Sequence, residues 1–441
     1  MSVPHLPKTT KITDIGEFGL IRRIARLVDL TNNSRPLKSG TPPLFLDTSS
    51  RGVIKGIGDD AAILDVLSKK NMGRGDFVLA VSKDMLVEGV HFKRQWMSFF
   101  DIGRRAIVAN VSDMAAMGGA QPLYIVVGLA LPVDISVDNV DKLFMGMDKE
   151  ARNVGAVFIG GDTVKSNKDV VISITIMGYI EREKILLRSG AREGDLICVT
   201  GTFGDAAAGI ELLKKNISRD FKGWQGQLVH KYRCPSHRLN EAKLLAAKGG
   251  VDSYMPTSMT DSSDGLAASL RIITQQEEEE EEDPASSFRV GKSALHDDYE
   301  DNTSAATNCL RPRRSRRRCR VIGARIDMEK IPLSKAFLKW SESKISGVSR
   351  RTPQGKIKFS RDMKYNLINH PDFPWKFVLD GGEEYELVFT ASKKTADYLA
   401  RDKKVDFKVI GEITSSGIIE YFLNGRPVVG AQFRFSGYEN F

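Results

Sequence analysis

Polar and apolar residues follow two different periods along this chain, and each period predicts one kind of element. In VVISITIMGYI, residues 170–180, Ser and Thr alternate with isoleucines, as expected for a strand with one buried face. Segments 101–117 and 137–153 instead return to apolar residues every three to four positions, which predicts helices. Apolar, β-branched runs predict further strands at 77–82, 123–131 and 157–160.

The second half of the chain shows the same mixture of periods. After a predicted strand at 195–200 (DLICVT), the sequence GTFGDAAAGIELLKK has the pattern of a glycine turn that enters a helix. Further helices are predicted at 237–248, 264–273 and 393–402. Further strands are predicted at 321–327, 376–379, 384–390 and 406–412. Helices and strands mixed in both halves indicate the α+β class.

One segment, residues 275–320, follows neither period. It begins QQEEEEEEDPASS, ends LRPRRSRRRCR, and holds 11 acidic and 9 basic residues but only two aromatic ones. Such a composition cannot bury enough apolar surface to offset the entropy lost on ordering, so we predict a disordered, low-complexity insertion. It is either a solvated loop without function or, through its arginine run, a contact for nucleic acid or a protein partner.

Composition and charge narrow the class of protein. The 441 residues carry a net charge of +9, which suits nucleic acid or a phosphate-bearing small ligand equally well. The four cysteines form no C-x-x-C pair, which argues against a zinc knuckle or redox dithiol, and Cys198 in LICVT is expected to be buried. The apolar stretch 123–133 is too short to span a bilayer, and the first residues lack the apolar run of a signal peptide. We expect a soluble, cytoplasmic protein.

Six acidic motifs recur in the globular parts of the sequence. Four share one layout, in which an aspartate follows Gly, Ser or Asn at the end of a predicted strand or helix. Several aspartates without accompanying His or Cys indicate a hard cation such as Mg²⁺, bridging a polyphosphate. Taken singly, each aspartate could instead be a helix N-cap or an Asx-turn residue. The motifs are GIGDDAA (56–62), VSKDMLVEGVHF (81–92), NVSDMAAMGG (110–119), IGGDT (159–163), MTDSSDG (259–265) and DGGEEYEL (380–387).

In this order, the motifs resemble those of thiamine-monophosphate kinases. The resemblance also takes in GEFGLI (16–21), LLRSGAREGD (186–195) and VTGTFGDAAAG (199–209), and it runs from about residue 14 to residue 440, interrupted by the insertion. The sequence contains no Walker motif and no kinase H-R-D or D-F-G motif, so a nucleotide site here belongs to another design.

The resemblance implies both a fold and a reaction. The fold is the α+β one of the aminoimidazole ribonucleotide synthetase-like superfamily. Its N-terminal domain, here 14–182, pairs with its twin in a homodimer, and its C-terminal domain, here 183–441, has a ferredoxin-like element. The implied reaction is a direct, in-line transfer of phosphate from ATP to thiamine monophosphate, with Mg²⁺ as cofactor and no phosphoenzyme. A requirement for K⁺ stays open, and neither a membrane nor a nucleic acid is expected as a partner.

The same resemblance assigns site residues motif by motif, and none of them forms a covalent intermediate. The implied metal ligands are Asp60, Ser82, Asp84, Asp113, Asp162, Asp261 and Asp264. The implied ATP contacts are Gly161, Asp162, Arg188 and Ser263. The implied contacts to thiamine monophosphate are His91, Glu383 and Tyr438.

Lys83 departs from the family pattern, which often has Thr before this aspartate. The lysine could replace part of one metal's charge, reach a phosphate, or point away without effect. Two interpretations compete with the kinase. One is a different ATP-using enzyme of the superfamily, although the first cysteine is Cys198 and the chain ends SGYENF, without the cysteines that two such enzymes use. The other is a catalytically silent nucleotide- or RNA-binding protein that uses the arginine run of the insertion.

Overall fold

The computed structural model describes the chain in eight separate pieces. They are residues 23, 53–55, 63–64, 77–215, 220–247, 254–277, 319–345 and 361–428. The predicted residues Asp60 and Tyr438 lie outside them, as do the motif GEFGLI and most of the insertion. Two short strands, β1 (Val53–Lys55) and β2 (Ile63–Leu64), pair with each other ahead of the main body.

The first half of the described chain builds a four-stranded sheet. Its strands lie in the order β3-β6-β4-β5, and every neighbouring pair is antiparallel except β4 and β5. Each was predicted from its apolar pattern; β3, β4 and β5 are longer than the predicted segments, and β6 is shifted by one residue. The strands are β3 (Phe77–Val87), β4 (Gln121–Leu131), β5 (Val157–Lys165) and β6 (Val171–Glu181).

Two long helices, α1 (Phe99–Ala116) and α2 (Val137–Val154), follow β3 and β4 and pack beside this sheet. Ser98 and Ser136 begin them as N-caps, since each side chain accepts a hydrogen bond from a backbone N–H of the first turn. The helices lie very close together, because a Cβ at Gly103 of α1 would collide with the backbone of α2. The side chains that alternate inward from β6, such as Ile174, are fully buried in the core they share.

The opposite face of the same sheet presents apolar side chains to the outside. Leu79, Val81 and Met85 of β3 are 54%, 57% and 49% exposed, and Val164 of β5 is 52% exposed. Among the described residues, no helix covers this face as α1 and α2 cover the other. This face therefore exposes more apolar surface than is usual for an isolated monomer in water.

The second half of the described chain builds a seven-stranded sheet. Its order is β15-β14-β11-β13-β7-β12-β8, and every pair is antiparallel except β11 and β14. The interior strands β7 and β12 are almost wholly buried, and Cys198 of β7 is buried as predicted. The strands are β7 (Leu196–Thr200), β8 (Ser258–Asp261), β11 (Gly323–Asp327), β12 (Leu387–Ala391), β13 (Phe407–Thr414), β14 (Ile419–Leu423) and β15 (Arg426–Pro427).

Eight helices accompany this second sheet in the described chain. The GTFGDAAAG turn enters a helix as predicted, the helix predicted near 393–402 has the predicted bounds, and those predicted at 237–248 and 264–273 are present with shorter or shifted ends. The helices are α3 (Asp205–Lys215), α4 (Gly223–Arg233), α5 (Leu239–Leu245), α6 (Leu266–Thr274), α7 (Lys335–Lys344), α8 (Arg361–Ile368), α9 (Trp375–Leu379) and α10 (Lys393–Asp402). Together the two halves confirm the predicted α+β class.

Two sequence predictions are corrected. The strand predicted at 376–379 is part of helix α9, because Trp375, Val378 and Leu379 are buried at helical spacing. The disordered insertion was predicted over 275–320, but Gln275–Glu277 (β9) and Cys319–Val321 (β10) pair as an antiparallel ladder. Pairing satisfies the backbone N–H and C=O groups of the two segments, and composition alone does not predict such pairing. Residues 278–318 lie outside the described chain.

The predicted domain boundary at 182 falls at a turn of 3₁₀ helix, Arg182–Lys184, between β6 and β7. The exact division into 14–182 and 183–441 stays a prediction. No helix in the described parts of the chain is both long and apolar enough to cross a membrane.

Candidate active site

A cavity of about 360 Å³ opens where the first sheet meets the loops of the second half. Its walls come from β3, from one face of α1, from the turn before α6 and from the loop that leads into β12. Seven predicted site residues line it. They include residues predicted as metal ligands, as ATP contacts and as substrate contacts. These are Asp84, His91, Asp113, Arg188, Ser263, Asp264 and Glu383.

Helix α1 ties two of the carboxylates in place. Asp113, near its last turn, accepts a hydrogen bond of 2.7 Å from Ser82 Oγ on β3. The neighbouring Ser112 donates its hydroxyl to Asp261 Oδ2, also at 2.7 Å, across to the second half of the chain. Asn110 Oδ1 accepts from the backbone N–H of Asp84 at 3.1 Å. One helix thus fixes the spacing of aspartates that are distant in sequence.

The DSSD turn supplies Asp261 and Asp264. Asp261 ends β8 and is 5% exposed, whereas Asp264, just ahead of α6, is half-buried and lines the cavity. Gly265 after it has a φ of 99°, and a Cβ there would press on the backbone of Asp380. The turn therefore needs glycine at this point, because other residues are strained at positive φ.

These carboxylates repel one another in the absence of a cation. Burial, followed by the charges of Asp113 and Asp261, raises the pKa of Asp84 to about 7. Burial and the charge of Asp113 raise the pKa of Asp261 to about 7 as well. Burial also raises the pKa of Asp264, while the exposed Arg188 pulls in the opposite direction. A cation placed among them would lower these pKa values and relieve the repulsion.

The donor set fits a hard cation by its chemistry. The four aspartates and Ser82 offer oxygen atoms, which Mg²⁺ prefers, and a Mg²⁺ ion commonly completes its shell with water and phosphate oxygens. Within the described ranges, no three His, Cys, Asp or Glu side chains lie close enough together to hold a metal by themselves.

His91 sits at the rim of the cavity in a defined hydrogen-bonding state. Its Nδ1 accepts a hydrogen bond of 3.0 Å from the backbone N–H of Val87, so a neutral ring carries its proton on Nε2. Its carbonyl oxygen lies 3.3 Å from the hydroxyl of Tyr232 on α4. The ring is thus oriented by its own turn and keeps one N–H free to donate to a ligand.

Sequence analysis missed two residues of the cavity, Arg105 and Tyr385. Arg105 of α1 is fully buried and forms an ion pair with Glu383, and Tyr385 donates its hydroxyl to the same carboxylate. A signal for Arg105 did exist, since Arg105, Ala109 and Asp113 stand four residues apart and share one face of the helix.

The GGEEYE loop turns its side chains alternately to the cavity and away from it. Glu383 and Tyr385 line the cavity and have φ values of 72° and 54°, the left-handed region that is costly for residues other than glycine. Glu384 and Glu386 alternate with them and are fully buried on the other side. Such strain persists only where the surroundings hold the backbone in place.

A buried ion network lies behind the loop. Glu386 accepts from Lys231 Nζ at 2.7 Å, from Arg238 Nε at 2.6 Å and from the Thr200 hydroxyl at 2.9 Å. Glu384 accepts from the backbone N–H of Ala206, at the start of α3, at 2.9 Å. Burial raises the pKa of Glu384 to about 8. Glu386 is also buried, but Lys231 and Arg238 keep its pKa low.

Asp162 and Gly161 are not brought to this cavity. They lie exposed on β5, at the opposite edge of the sheet from β3, which is about 14 Å away by strand spacing. Asp162 Oδ1 accepts from the backbone N–H of Thr163 at 2.9 Å. Lys83 is exposed and donates its Nζ to the Ser173 hydroxyl on β6, so its ammonium points along the outer face of the sheet.

Comparison with known proteins decides the family. A thiamine-monophosphate kinase from Buchnera aphidicola subsp. Acyrthosiphon pisum is 31% identical over 364 residues, covering 82% of this chain and 85% of its own length. The chain belongs to the thiamine-monophosphate kinase family. The Escherichia coli K12 thiamine-monophosphate kinase is 27% identical over 97% of this chain and 98% of its own. The model of the AIR synthase related protein N-terminal domain matches residues 58–180. The resemblance recognised from the nine motifs is confirmed.

Solved structures agree on the fold. A thiamine-monophosphate kinase from Stenotrophomonas maltophilia is 25% identical, with a TM-score of 0.57, and covers 88% of this chain and 98% of its own. A structure of AaThiL complexed with AMPPCP and TMP, 24% identical, has the same TM-score and covers 98% of this chain and 99% of its own. A hydrogenase maturation protein, HypE, in complex with ATP shares the fold at 18% identity and a TM-score of 0.55, with 96% of each chain covered.

Proposed function

We propose that this member of the thiamine-monophosphate kinase family transfers the γ-phosphoryl group of ATP to thiamine monophosphate. A terminal phosphate oxygen of thiamine monophosphate attacks the γ-phosphorus, the bond from that phosphorus to the β-bridging oxygen breaks, and ADP leaves. The products are thiamine diphosphate and ADP. The observation that carries the proposal is the convergence of seven motif residues on one cavity in a chain of this family.

The residues of the cavity divide between metal, ATP and acceptor. Asp84, Asp113, Asp261 and Asp264 would hold Mg²⁺, with Ser82 supporting Asp113 and with Asp60 as a further predicted ligand outside the described chain. Bound Mg²⁺ neutralises phosphate charge and aligns the reacting groups, which phosphoryl transfer needs more than covalent catalysis. Arg188 and Ser263 would contact the phosphates of ATP. His91 and Glu383, with Tyr438 outside the described chain, would contact thiamine monophosphate.

The fixed orientation of the His91 ring gives this chain a way to orient the acceptor. Its Nδ1 is occupied by the backbone of Val87, so Nε2–H is the atom that can donate to a phosphate oxygen of the acceptor. Arg188, assigned above to ATP, also adds positive charge to the cavity wall. An N–H donor and a positive charge both favour a phosphorylated acceptor over a neutral hydroxyl, which supports thiamine monophosphate rather than thiamine as the substrate.

A homodimer would complete the site. The apolar side chains that the described part of the first sheet exposes on its outer face suit a second copy of the same face, since an isologous contact pairs like with like. Asp162 and Gly161 stand at the far edge of that sheet, so they would reach a cavity only across such a contact. We propose that the partner subunit's Asp162 supplies the predicted metal and ATP contacts. A cytoplasmic location stays a prediction.

The test is product identification with purified protein and Mg·ATP. Thiamine monophosphate, thiamine and an aminoimidazole precursor would each be offered, with ADP counted against product. We expect thiamine diphosphate and ADP in equal amounts from thiamine monophosphate alone. Equal activity on thiamine, or activity on none, would contradict the proposal. Salt-sensitive RNA binding without turnover would favour the silent RNA-binding interpretation instead.

A further inference from the structure

Arg105 is a charged residue in a fully buried position. Its side chain is 0% exposed at the wall of the cavity, in the middle of helix α1. Its Nη1 donates to the carbonyl of Tyr232 at 3.0 Å, and its guanidinium carbon lies 4.7 Å from the centre of the Tyr232 ring. Its Nη2 faces Glu383 Oε2 in an ion pair. A buried guanidinium is costly unless it is paired in this way, so its position is tied to that of Glu383.

Tyr385 approaches the same oxygen from the other side. Its hydroxyl donates to Glu383 Oε2 at 2.8 Å, and its ring is 7% exposed. Glu383 is held at a φ of 72° and its side chain is 20% exposed. Both fixed contacts therefore fall on Oε2. Within the described ranges Glu383 Oε1 has no hydrogen-bond partner, and Glu383 lines the cavity.

The ion pair also separates Glu383 from the aspartates in chemical character. Within the described chain the aspartates form no ion pair with the cations of the cavity wall, whereas the charge of Glu383 is balanced by the buried Arg105. A carboxylate that is already paired is a weak ligand for a further cation but remains a hydrogen-bond acceptor through its open oxygen.

We propose that Arg105 and Tyr385 are positioning residues that fix Glu383 so that its Oε1 accepts a hydrogen bond from an N–H group of the phosphate acceptor. This inference rests on the proposed function. In thiamine monophosphate, the group of that chemistry is the amine of the aminopyrimidine ring, the part of the molecule remote from the phosphate. The contact exists before and during transfer alike, so it contributes to binding of the acceptor and not to the chemical step.

The test measures acceptor binding and turnover separately. Binding of thiamine monophosphate is followed by calorimetry in the presence of Mg²⁺ and a non-hydrolysable ATP analogue, and turnover is followed with ATP. Tyr385→Phe keeps the ring and removes one hydroxyl, so we expect Kd and KM for thiamine monophosphate to rise about 10-fold. Because the contact is equally strong in the bound state and in the transition state, kcat and the KM for ATP should stay within about 2-fold of wild type. Tyr398→Phe, on α10, removes a hydroxyl far from the cavity and serves as the matched control.

Two further comparisons distinguish positioning from a general structural role. Arg105→Lys should restore part of the acceptor affinity that Arg105→Met loses, provided that both variants melt cooperatively. In a Glu383→Ala background, Tyr385→Phe should add no further loss, because it acts through the carboxylate that is gone. If Arg105→Met fails to fold, the Tyr385 and Glu383 cycle decides alone.

The outcomes separate this inference from the proposed function. Unchanged acceptor affinity in Tyr385→Phe, or an equal rise in the KM for ATP, would overturn the inference while leaving the kinase intact. Wild-type protein that binds thiamine monophosphate without phosphorylating it would overturn the proposed function, and weaker binding by Tyr385→Phe would still support the inference. Wild-type protein that does not bind thiamine monophosphate would overturn both.

Discussion

Two groups of carboxylates lie on opposite sides of the GGEEYE loop, and they differ in whether nearby cations balance their charge. On the cavity side, the four aspartates form no ion pair with a lysine or arginine within the described chain, although Lys83, Arg105 and Arg188 line the same cavity. On the other side, Glu386 is held between Lys231 and Arg238 at hydrogen-bonding distance. Both groups are acidic and at least half-buried. Within the described chain, only the second forms ion pairs with lysine and arginine side chains.

The difference separates a binding site from a structural core. A carboxylate cluster without internal cations is unstable by itself, so it is expected where a cation or ligand arrives from solution. A paired cluster needs nothing further and fixes the position of the elements that carry it. Here the paired side holds α3, α4 and the loop, and the loop in turn presents Glu383 and Tyr385 to the cavity.

The largest effect is expected on the paired side. Lys231→Met leaves Glu384 and Glu386 short of one buried cation, which should lower the free energy of unfolding by about 3 kcal/mol. Chemical denaturation measures it. Lys142→Met is the matched control, because its pair with Asp138 is exposed and should contribute less than about 1 kcal/mol. Equal, small losses in the two variants would show that the network is not structural.

The next effect is expected on the cavity side, and in rate instead of stability. Asp113→Asn removes one charge from the cluster while keeping its shape, and the resulting misplacement of the phosphate should lower kcat about 100-fold. The melting temperature should stay near that of wild type or rise. Asp397→Asn, exposed on α10, is the control and should leave both unchanged. Near-normal turnover with a lowered melting temperature would make Asp113 a structural residue.

A smaller effect concerns pH. Burial raises the pKa of Glu384 to about 8 in the folded protein, against an ordinary value of 4.5 for the unfolded chain. Between these values the folded protein keeps a proton that the unfolded chain has lost, so the free energy of unfolding falls as pH rises towards 8. Glu384→Gln abolishes this contribution, and its melting temperature should decline less between pH 6 and pH 8, by about 2 °C or more. Parallel curves for both proteins would contradict the raised pKa.

The smallest effect is expected for the insertion. Since Glu277 pairs with Cys319, residues 278–318 can be replaced by Asn-Gly, a pair that closes two-residue hairpins. We expect kcat within about 2-fold of wild type, because the cavity residues of the described chain all come from other segments and the composition of this one cannot build a core. Lost turnover or a lost melting transition would show that the segment is structural.

Local pattern predicted most of the strands and helices, while contacts between distant segments were beyond it. The isoleucines of β6 and the spacing of α1 and α2 are period signals that any sequence shows directly. The site was recognised from the order of its motifs, because a small residue followed by an aspartate is a short pattern that is visible in the sequence itself. By contrast, the WKFVL of α9 is short enough for an apolar helix to resemble a strand.

Pairing of charges was the part that sequence could not supply. Helical spacing places Arg105 on the face of Asp113, but its partner Glu383 lies in the other half of the chain, and the neighbouring Arg104 pairs with Glu150 instead. The opposite roles of Glu383 and Glu384 depend on which way a strained loop turns each side chain. Asp162 shows the same limit, since its motif resembles a cavity motif but its strand lies at the other edge of the sheet.

Thermal stability with and without Mg²⁺ tests the contrast between the two carboxylate groups most directly. With a non-hydrolysable ATP analogue present, added Mg²⁺ should raise the melting temperature of wild type, because ligands that bind only the folded state stabilise it. Asp84→Asn and Asp261→Asn should lose most of this gain, whereas Glu384→Gln should keep it in full. An equal gain in all four proteins, or no gain in wild type, would contradict the account.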